Sequence, residues 1–270
     1  MNPSTSLSLG LIQWLPTPGA FDENVATALR LIREAANHKV DLVMLPELWL
    51  SGYDVDRLGD DVANSADAIT GPRLAQVQAL AKELGIWIVA GSVGESTSDG
   101  IYNTAVVFNR LGEIAATHRK AHLYTLTGED EVFSSGNSMT TFHDDELGTV
   151  GLSVCFDGDF PSTAQAFADQ GVDVVLQPNA YEFEAGAYWD LYYPAAAVAH
   201  GQWWVLGNQC GINKNGTLLG SSRIIDPTGT IVAEGSRVQP GSTPGEEIIY
   251  GTIASSPEIE EAKAFAALLH

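Results

Sequence analysis

Apolar and polar positions alternate along the first 45 residues in a way that predicts a β-α-β unit. The apolar run from Leu7 to Trp14 predicts a strand, and the run from Val40 to Leu45 predicts a second one. Between them a helix is predicted to begin near Asp22. Its apolar face is formed by residues at three- and four-residue spacing: Val25, Leu29, Ile32 and Ala36.

A second unit of the same kind follows. Gly71-Pro72 predicts the start of a helix that runs to Leu84, and Gly85 predicts its end. The next strand is predicted over Ile86–Ala90. Two further extended runs are joined by a short turn at 110–112 and predict a β-hairpin: Tyr102–Asn109 and Glu113–Thr117.

The second half of the chain repeats the strand, helix, strand order. The run from Leu147 to Cys155 is strand-like, a helix is predicted from Pro161 to Gly171, and Val172–Leu176 predicts a buried strand. The later part of the chain predicts a helix over Tyr188–Ala199 and a strand over Trp203–Asn208. It then predicts a hairpin over Leu218–Ala233 that turns at 226–229, a strand over Glu247–Ile253 and a terminal helix from Pro257. The pattern predicts one α/β domain over residues 1–270, with two sheets packed face to face and helices outside.

Charge and cysteine content restrict the partners and the compartment. A net charge of −21, from 34 acidic and 13 basic residues, argues against nucleic acid and anionic membranes as partners. No apolar stretch has transmembrane length. Two cysteines beside apolar runs do not form a secreted disulfide framework, and residues 1–6 lack the features of a signal peptide, so a cytoplasmic protein is expected.

Three reactive side chains follow predicted extended segments. Cys155 ends an apolar run and precedes the turn at 156–161, which is the position of a nucleophile at a strand-to-helix elbow. Glu47 follows the second predicted strand and can accept the thiol proton. Lys120 follows the extended segment 113–119 and can stabilise the oxyanion that forms when a carbonyl is attacked.

Three segments around these residues resemble the signatures of the nitrilase, or carbon-nitrogen hydrolase, superfamily: Pro46-Glu-Leu48 with Ser51-Gly-Tyr53, His118–Leu123 and Cys155-Phe-Asp-Gly-Asp-Phe-Pro161. The likeness extends over nearly the whole chain. It implies a four-layer αββα sandwich, a homodimer or a higher homo-oligomer, and a catalytic set of Glu47, Lys120 and Cys155. It implies no metal and no organic cofactor.

The resemblance also implies further site residues. The backbone N–H of Phe156 is expected to hold the oxyanion together with Lys120. A second active-site glutamate is expected after the lysine, and Glu129 fits the Glu-x-x-x-Phe-x-x-Gly spacing of many members, whereas Glu131 fits the spacing of aliphatic amidases. We expect Glu129 to be the catalytic one and keep Glu131 as a substrate contact. Tyr53 is expected either to line the pocket or to pack in the core.

Two groups of side chains have alternative interpretations. His118 and His122 alternate with Lys120 in an extended segment, so either could form a papain-like pair with the cysteine. Glu182 and Glu184 follow a predicted strand end, where they could contact substrate or simply be solvated. Structural roles are favoured for the histidines and solvation for the two glutamates.

The residues after Cys155 indicate the branch. The Cys-Trp-Glu sequence usual in nitrilases is absent, and Gly158 and Asp159 occupy the stretch where carbamoylases and ω-amidases often place an arginine for a substrate carboxylate. The segment resembles aliphatic amidases and formamidases. The expected function is hydrolysis of a small, neutral aliphatic carboxamide through a Cys155 thioester. The alternatives are an N-carbamoyl amine amidohydrolase, a nitrilase and a non-catalytic binding protein.

Overall fold

A computed structural model describes residues 6–214, 216–242 and 244–269. The expectation that residues 1–6 lack a signal peptide therefore concerns residues that lie, except for Ser6, outside the described part of the chain. The strands are β1 (Leu7–Gln13), β2 (Leu42–Met44), β3 (Trp87–Thr97), β4 (Gly100–Phe108), β5 (Ile114–Arg119), β6 (Thr140–Asp144), β7 (Gly148–Leu152), β8 (Val174–Asn179), β9 (Trp203–Asn208), β10 (Cys210–Asn213), β11 (Gly216–Leu219), β12 (Arg223–Ile225), β13 (Ile231–Glu234) and β14 (Glu247–Ile253). The helices are α1 (Phe21–Asn37), α2 (Leu58–Ser65), α3 (Pro72–Leu84), α4 (Glu129–Val132), α5 (Pro161–Asp169), α6 (Gly186–His200) and α7 (Pro257–Ala266).

The described strands form two six-stranded sheets and a separate hairpin of β10 and β11. The strand order is β14-β1-β2-β3-β4-β5 in the first sheet and β13-β12-β9-β8-β7-β6 in the second. Each sheet has a parallel centre, formed by β1, β2 and β3 in one and by β7, β8 and β9 in the other. Antiparallel strands flank both centres, so each sheet is mixed.

Three apolar layers hold these elements together. Between the sheets, β1, β2 and β3 meet β7, β8 and β9 in an apolar core that includes Leu9, Met44, Leu152 and Leu176. A second layer lies between the first sheet and helices α1 and α3. A third lies between the second sheet and helices α5 and α6. Because each sheet is apolar on both faces, helices must cover the outer faces, and the predicted four-layer αββα sandwich is confirmed.

Most predicted elements are confirmed with bounds within three residues, but β3 ends at Thr97 rather than at the predicted Ala90. The predicted hairpin Leu218–Ala233 is confirmed only from Arg223 onward, and its first part is wrong. Leu218 pairs with Gly211 in β10, and only the turn at 226–229 joins the strands β12 and β13. The extended run breaks at Gly220 and Ser221, which both have positive φ angles, 73° and 58°. Strands β6 and β10 and helices α2 and α4 were not predicted.

The strand directions bring the candidate residues to one edge of the sandwich. Glu47 follows β2 and Lys120 follows β5, which run in the same direction, while Cys155 and Ala180 follow the parallel strands β7 and β8. The two sheets meet at this edge, where the Glu47 backbone N–H donates to the Asn179 carbonyl over 3.2 Å. Carboxyl ends of parallel strands commonly build sites in open α/β sheets. Within the described part of the chain, no helix has the length and hydropathy needed to cross a membrane.

Candidate active site

A buried lysine lies between two buried carboxylates at this edge. The Nζ atom of Lys120 is 2.9 Å from Oε1 of Glu47 and 2.8 Å from the carboxylate of Glu129, and all three side chains are shielded from solvent. Burial alone would lower the pKa of Lys120, but the charges of Glu129 and Glu47 raise it well above its usual value. Lys120 is therefore held as a cation inside the protein.

Glu47 is oriented by groups from both sheets. Its Oε1 accepts a hydrogen bond from Asn103 Nδ2 and its Oε2 one from the Ala180 backbone N–H, both over 2.8 Å. Burial raises the pKa of Glu47, although the Lys120 charge and the hydrogen bonds of Lys120 and Asn103 oppose this effect. A carboxylate with a raised pKa is a better proton acceptor, so Glu47 is suited to general-base chemistry.

Glu129 is the glutamate that the structure brings to Lys120. It accepts a hydrogen bond from the Tyr53 hydroxyl over 2.7 Å and one from the Tyr124 backbone N–H over 2.8 Å. Tyr53 does both things considered for it, since it packs against Leu48 and its ring also lines the cavity described below. Glu131 is exposed on the same short helix and does not line the cavity, so the structure gives it no contact with a substrate there.

Cys155 lies at a strained elbow, as its position in the sequence predicted. It is the first residue of a 3-10 turn after β7, and its φ angle of 46° is uncommon for a residue with a side chain. Burial and the nearby charge of Glu47 raise the pKa of the Cys155 thiol well above its usual value, and Lys120 only partly offsets them. The resting residue is therefore a thiol, which needs a neighbouring base to become a nucleophile.

The alternative Cys–His pair is not formed. Nε2 of His118 donates to Asp157 over 2.9 Å, while its Nδ1 is 3.2 Å from the Thr140 hydroxyl. Nδ1 of His122 donates to Asp157 over 3.0 Å. Asp157 thus accepts a hydrogen bond from each of the two histidines. Burial alone would raise the pKa of Asp157, but these hydrogen bonds hold it well below the usual range.

Asp157 connects the parts of the site, and this role was not predicted from the sequence. Its Oδ1 also accepts the backbone N–H groups of Ala121 and His122, over 3.0 and 2.8 Å. One carboxylate therefore ties the turn that carries Cys155 to the segment just after Lys120. Its position two residues after the cysteine and the two histidines around the lysine were the available signals.

A cavity of about 400 Å³ opens in front of the thiol. Its wall contains Cys155, Phe156 and Tyr53, three of the residues for which a site role is expected. The other residues that line it are Tyr124, Glu129, Asp159, Phe160, Ala180, Tyr181, Glu182, Ala185 and Tyr188. Glu182 thus lies at the cavity, whereas Glu184 is exposed. Among the residues that the structure describes, no group of three or more His, Cys, Asp or Glu side chains is placed to hold a metal ion.

Comparison with known proteins gives a consistent result. The model of the carbon-nitrogen hydrolase family matches residues 8–262. This decides the family. The chain belongs to the carbon-nitrogen hydrolases. It is 30% identical to an omega-amidase of Arabidopsis thaliana over 86% of this chain and 65% of that protein, and 30% identical to the 2-oxoglutaramate amidase of Bacillus subtilis over 85% of this chain and 86% of that protein.

Solved structures confirm the fold of this hydrolase. Saccharomyces cerevisiae Nit3, a member of branch 10 of the nitrilase superfamily, superposes with a TM-score of 0.83 at 27% identity, over 98% of this chain and 95% of Nit3. The predicted membership in the amidase branch of the nitrilase superfamily is confirmed, and so is the prediction of an amidase that acts on non-peptide carbon-nitrogen bonds.

Proposed function

We propose that this carbon-nitrogen hydrolase converts a small aliphatic carboxamide into the carboxylic acid and ammonia, through a thioester on Cys155. The proposed substrate carries no negative charge, a wider class than the neutral amide expected from the sequence. The observation that carries the proposal is the buried array of Glu47, Lys120 and Glu129 beside a thiol that lines a cavity of about 400 Å³. Relatives named omega-amidase and 2-oxoglutaramate amidase support a carboxamide as the reacting group.

In the first half of the reaction, Glu47 takes the proton of the Cys155 thiol while Sγ forms a bond to the amide carbon. The electron pair of the carbonyl moves to its oxygen, which becomes an oxyanion. The Lys120 cation and the backbone N–H of Phe156 stabilise this oxyanion. Because Lys120 stays charged between two carboxylates, its positive charge is in place before the reaction begins, and such preorganised charge supplies a large share of the rate.

In the second half, the carbon-nitrogen bond breaks and Glu47 gives its proton to the departing nitrogen, so that ammonia leaves and a thioester remains. Glu47 then takes a proton from a water molecule whose oxygen attacks the thioester carbon. The carbon-sulfur bond breaks, the sulfur recovers a proton, and the acid is released. One water is consumed for each ammonia produced, and the same base acts in both halves.

The substrate class is tested by measuring ammonia release from formamide, acetamide, propionamide, butyramide, carbamoyl-putrescine and propionitrile. We expect steady turnover of the aliphatic amides, with Cys155→Ala as the blank. The cavity size allows discrimination by chain length, and each methylene that fits an apolar wall adds about 10-fold or more in kcat/KM.

The outcomes of this panel separate the alternatives. Turnover of the carbamoyl compound alone would assign the enzyme to the N-carbamoyl amine amidohydrolases, and turnover of the nitrile alone to the nitrilases. If the native protein and the Cys155→Ala blank released ammonia equally slowly from every compound, the amidase proposal would be wrong for this substrate range and the binding-protein alternative would remain.

A further inference from the structure

The charges in the cavity wall determine which charged group the substrate can carry in addition to its amide. Asp159, Glu182 and Glu129 line the cavity together with the thiol. Among the described lining residues there is no lysine, arginine or histidine. The nearby Lys120 is already paired with Glu47 and Glu129. A substrate carboxylate would therefore face carboxylates without a free cationic partner, which is costly in a partly desolvated site.

We propose that the substrate carries a cationic group, such as a primary ammonium, at the end away from its amide, and that Asp159 and Glu182 bind this cation. The inference rests on the proposed amide hydrolysis and adds the substrate class to it. A catalytic cavity whose wall contains the carboxylates of Asp159 and Glu182 beside the already paired Glu129, and no lysine, arginine or histidine, is complementary to a positively charged ligand.

Asp159 is held in place as a binding group. Its Oδ1 accepts a hydrogen bond from the Tyr193 hydroxyl over 2.6 Å, and its Oδ2 accepts one from the Tyr181 hydroxyl over 3.1 Å. Gln177 in turn donates to the Tyr193 hydroxyl over 2.8 Å. An ionised carboxylate can accept about four hydrogen bonds, so the two tyrosines fix its orientation and leave acceptor positions for a ligand.

The aromatic walls favour the same kind of ligand. The rings of Tyr124, Phe156 and Phe160 follow one another along the cavity, with centroids 5.1 Å apart in each successive pair. Tyr181 and Tyr188 form part of the remaining wall. The faces of aromatic rings carry negative potential and attract ammonium groups, more strongly where water is excluded. Aromatic faces and carboxylates together are the usual elements of an ammonium site.

The ionisation of Asp159 makes the preference for a cationic substrate depend on pH. Burial raises the pKa of Asp159 to about 6, against the hydrogen bonds of Tyr193 and Tyr181 and the charge of Lys120, which lower it. The carboxylate must be ionised to bind a cation, so the preference for a cationic substrate is expected to weaken as the pH falls below about 6. The titratable groups that act on Asp159 or feel its charge are Tyr124, Tyr181, Tyr188, Tyr192, Tyr193, Cys155 and Lys120.

Three amides of one length test the proposal: 4-aminobutanamide, pentanamide and glutaramate carry an ammonium, a methyl and a carboxylate group on the same three methylenes. We expect kcat/KM to fall in that order, with the ammonium compound favoured over the methyl compound by about 10-fold or more. Asp159→Asn should reduce this ratio by about 10-fold, mainly through KM. Asp169→Asn, which removes an equal charge from the exposed end of α5, should leave the ratio unchanged.

A second variant and a binding measurement separate the possible outcomes. Glu182→Gln, in the loop after β8, should also reduce the ratio and does not disturb the tyrosine hydrogen bonds of Asp159. Calorimetric titration of Cys155→Ala with the same three compounds measures binding without turnover. If none of the three is hydrolysed but the ammonium compound binds most tightly, the proposed hydrolysis is wrong and the cation site stands. If pentanamide or glutaramate is preferred, or neither variant changes the ratio, the cation site is wrong.

Discussion

Replacing Cys155 with alanine should reduce ammonia release from an aliphatic amide by about a millionfold. The variant keeps the cavity and the buried charges but has no atom that can bond to the amide carbon, and removal of a nucleophile costs about this much in other hydrolases. Initial rates of ammonia production at saturating amide measure the effect. Substrate binding should survive, because the cavity wall loses only one sulfur atom.

The second cysteine gives the matched control. Cys210 is buried in β10, its sulfur is 3.8 Å from the Ser236 carbonyl, and it does not line the cavity. Cys210→Ala should therefore keep native kcat and KM. A loss of activity in Cys210→Ala equal to that in Cys155→Ala would show that the assay reports damage to the fold rather than loss of the nucleophile.

Replacing Glu47 with glutamine should lower kcat by about 1,000- to 10,000-fold, because the base acts in both halves of the reaction and general-base catalysis contributes about this much. The glutamine oxygen can still accept from Lys120 and Asn103, but its amide group then faces the donating N–H of Ala180. The glutamine side chain has nearly the size and shape of the glutamate, but it cannot take the thiol proton. Steady-state kinetics and circular dichroism of the two proteins measure the effect and the fold.

A pH profile separates proton transfer from a structural role of Glu47. Since burial raises the pKa of Glu47, native activity should decline on the acid side at a pH above the usual range of a glutamate, as the base becomes protonated. Glu47→Gln should lack that limb. Glu131→Gln, on an exposed carboxylate outside the cavity, is the matched control and should keep both native rate and native profile. Native kcat in Glu47→Gln would contradict its role as the base.

The positions of Glu47, Lys120 and Cys155 could be predicted because each follows an extended segment that apolar runs reveal, and because strand ends of like direction meet at one edge of a sheet. Glu129 was accessible only through the family resemblance, which implies a glutamate at this spacing before Phe133 and Gly136. The break of the predicted hairpin near Gly220 was not, since it depends on tertiary contacts. A side chain at Gly220 would lie 2.5 Å from the Cys210 sulfur, a contact that only the folded chain creates.

The polar network around the nucleophile was also beyond the sequence. Asp157 joins His118 and His122, which are more than 30 residues earlier in the chain, and Asp159 is oriented by Tyr181 and Tyr193, which are more than 20 residues later. Such pairings follow from the packing of β5, β7, β8 and α6 rather than from any local pattern. The substrate charge inferred from Asp159 became accessible only when the cavity wall was known.

The measurement that tests the central claim most directly is the location of the acyl intermediate. Native protein is mixed with 4-nitrophenyl butyrate, whose good leaving group makes acylation faster than hydrolysis of the acyl-protein, then quenched in acid and analysed by intact-mass and peptide mass spectrometry. We predict one butyryl group on Cys155, absent from Cys155→Ala. Catalytic release of nitrophenolate with no acyl group on Cys155, or with the acyl group on another residue, would contradict the thioester mechanism.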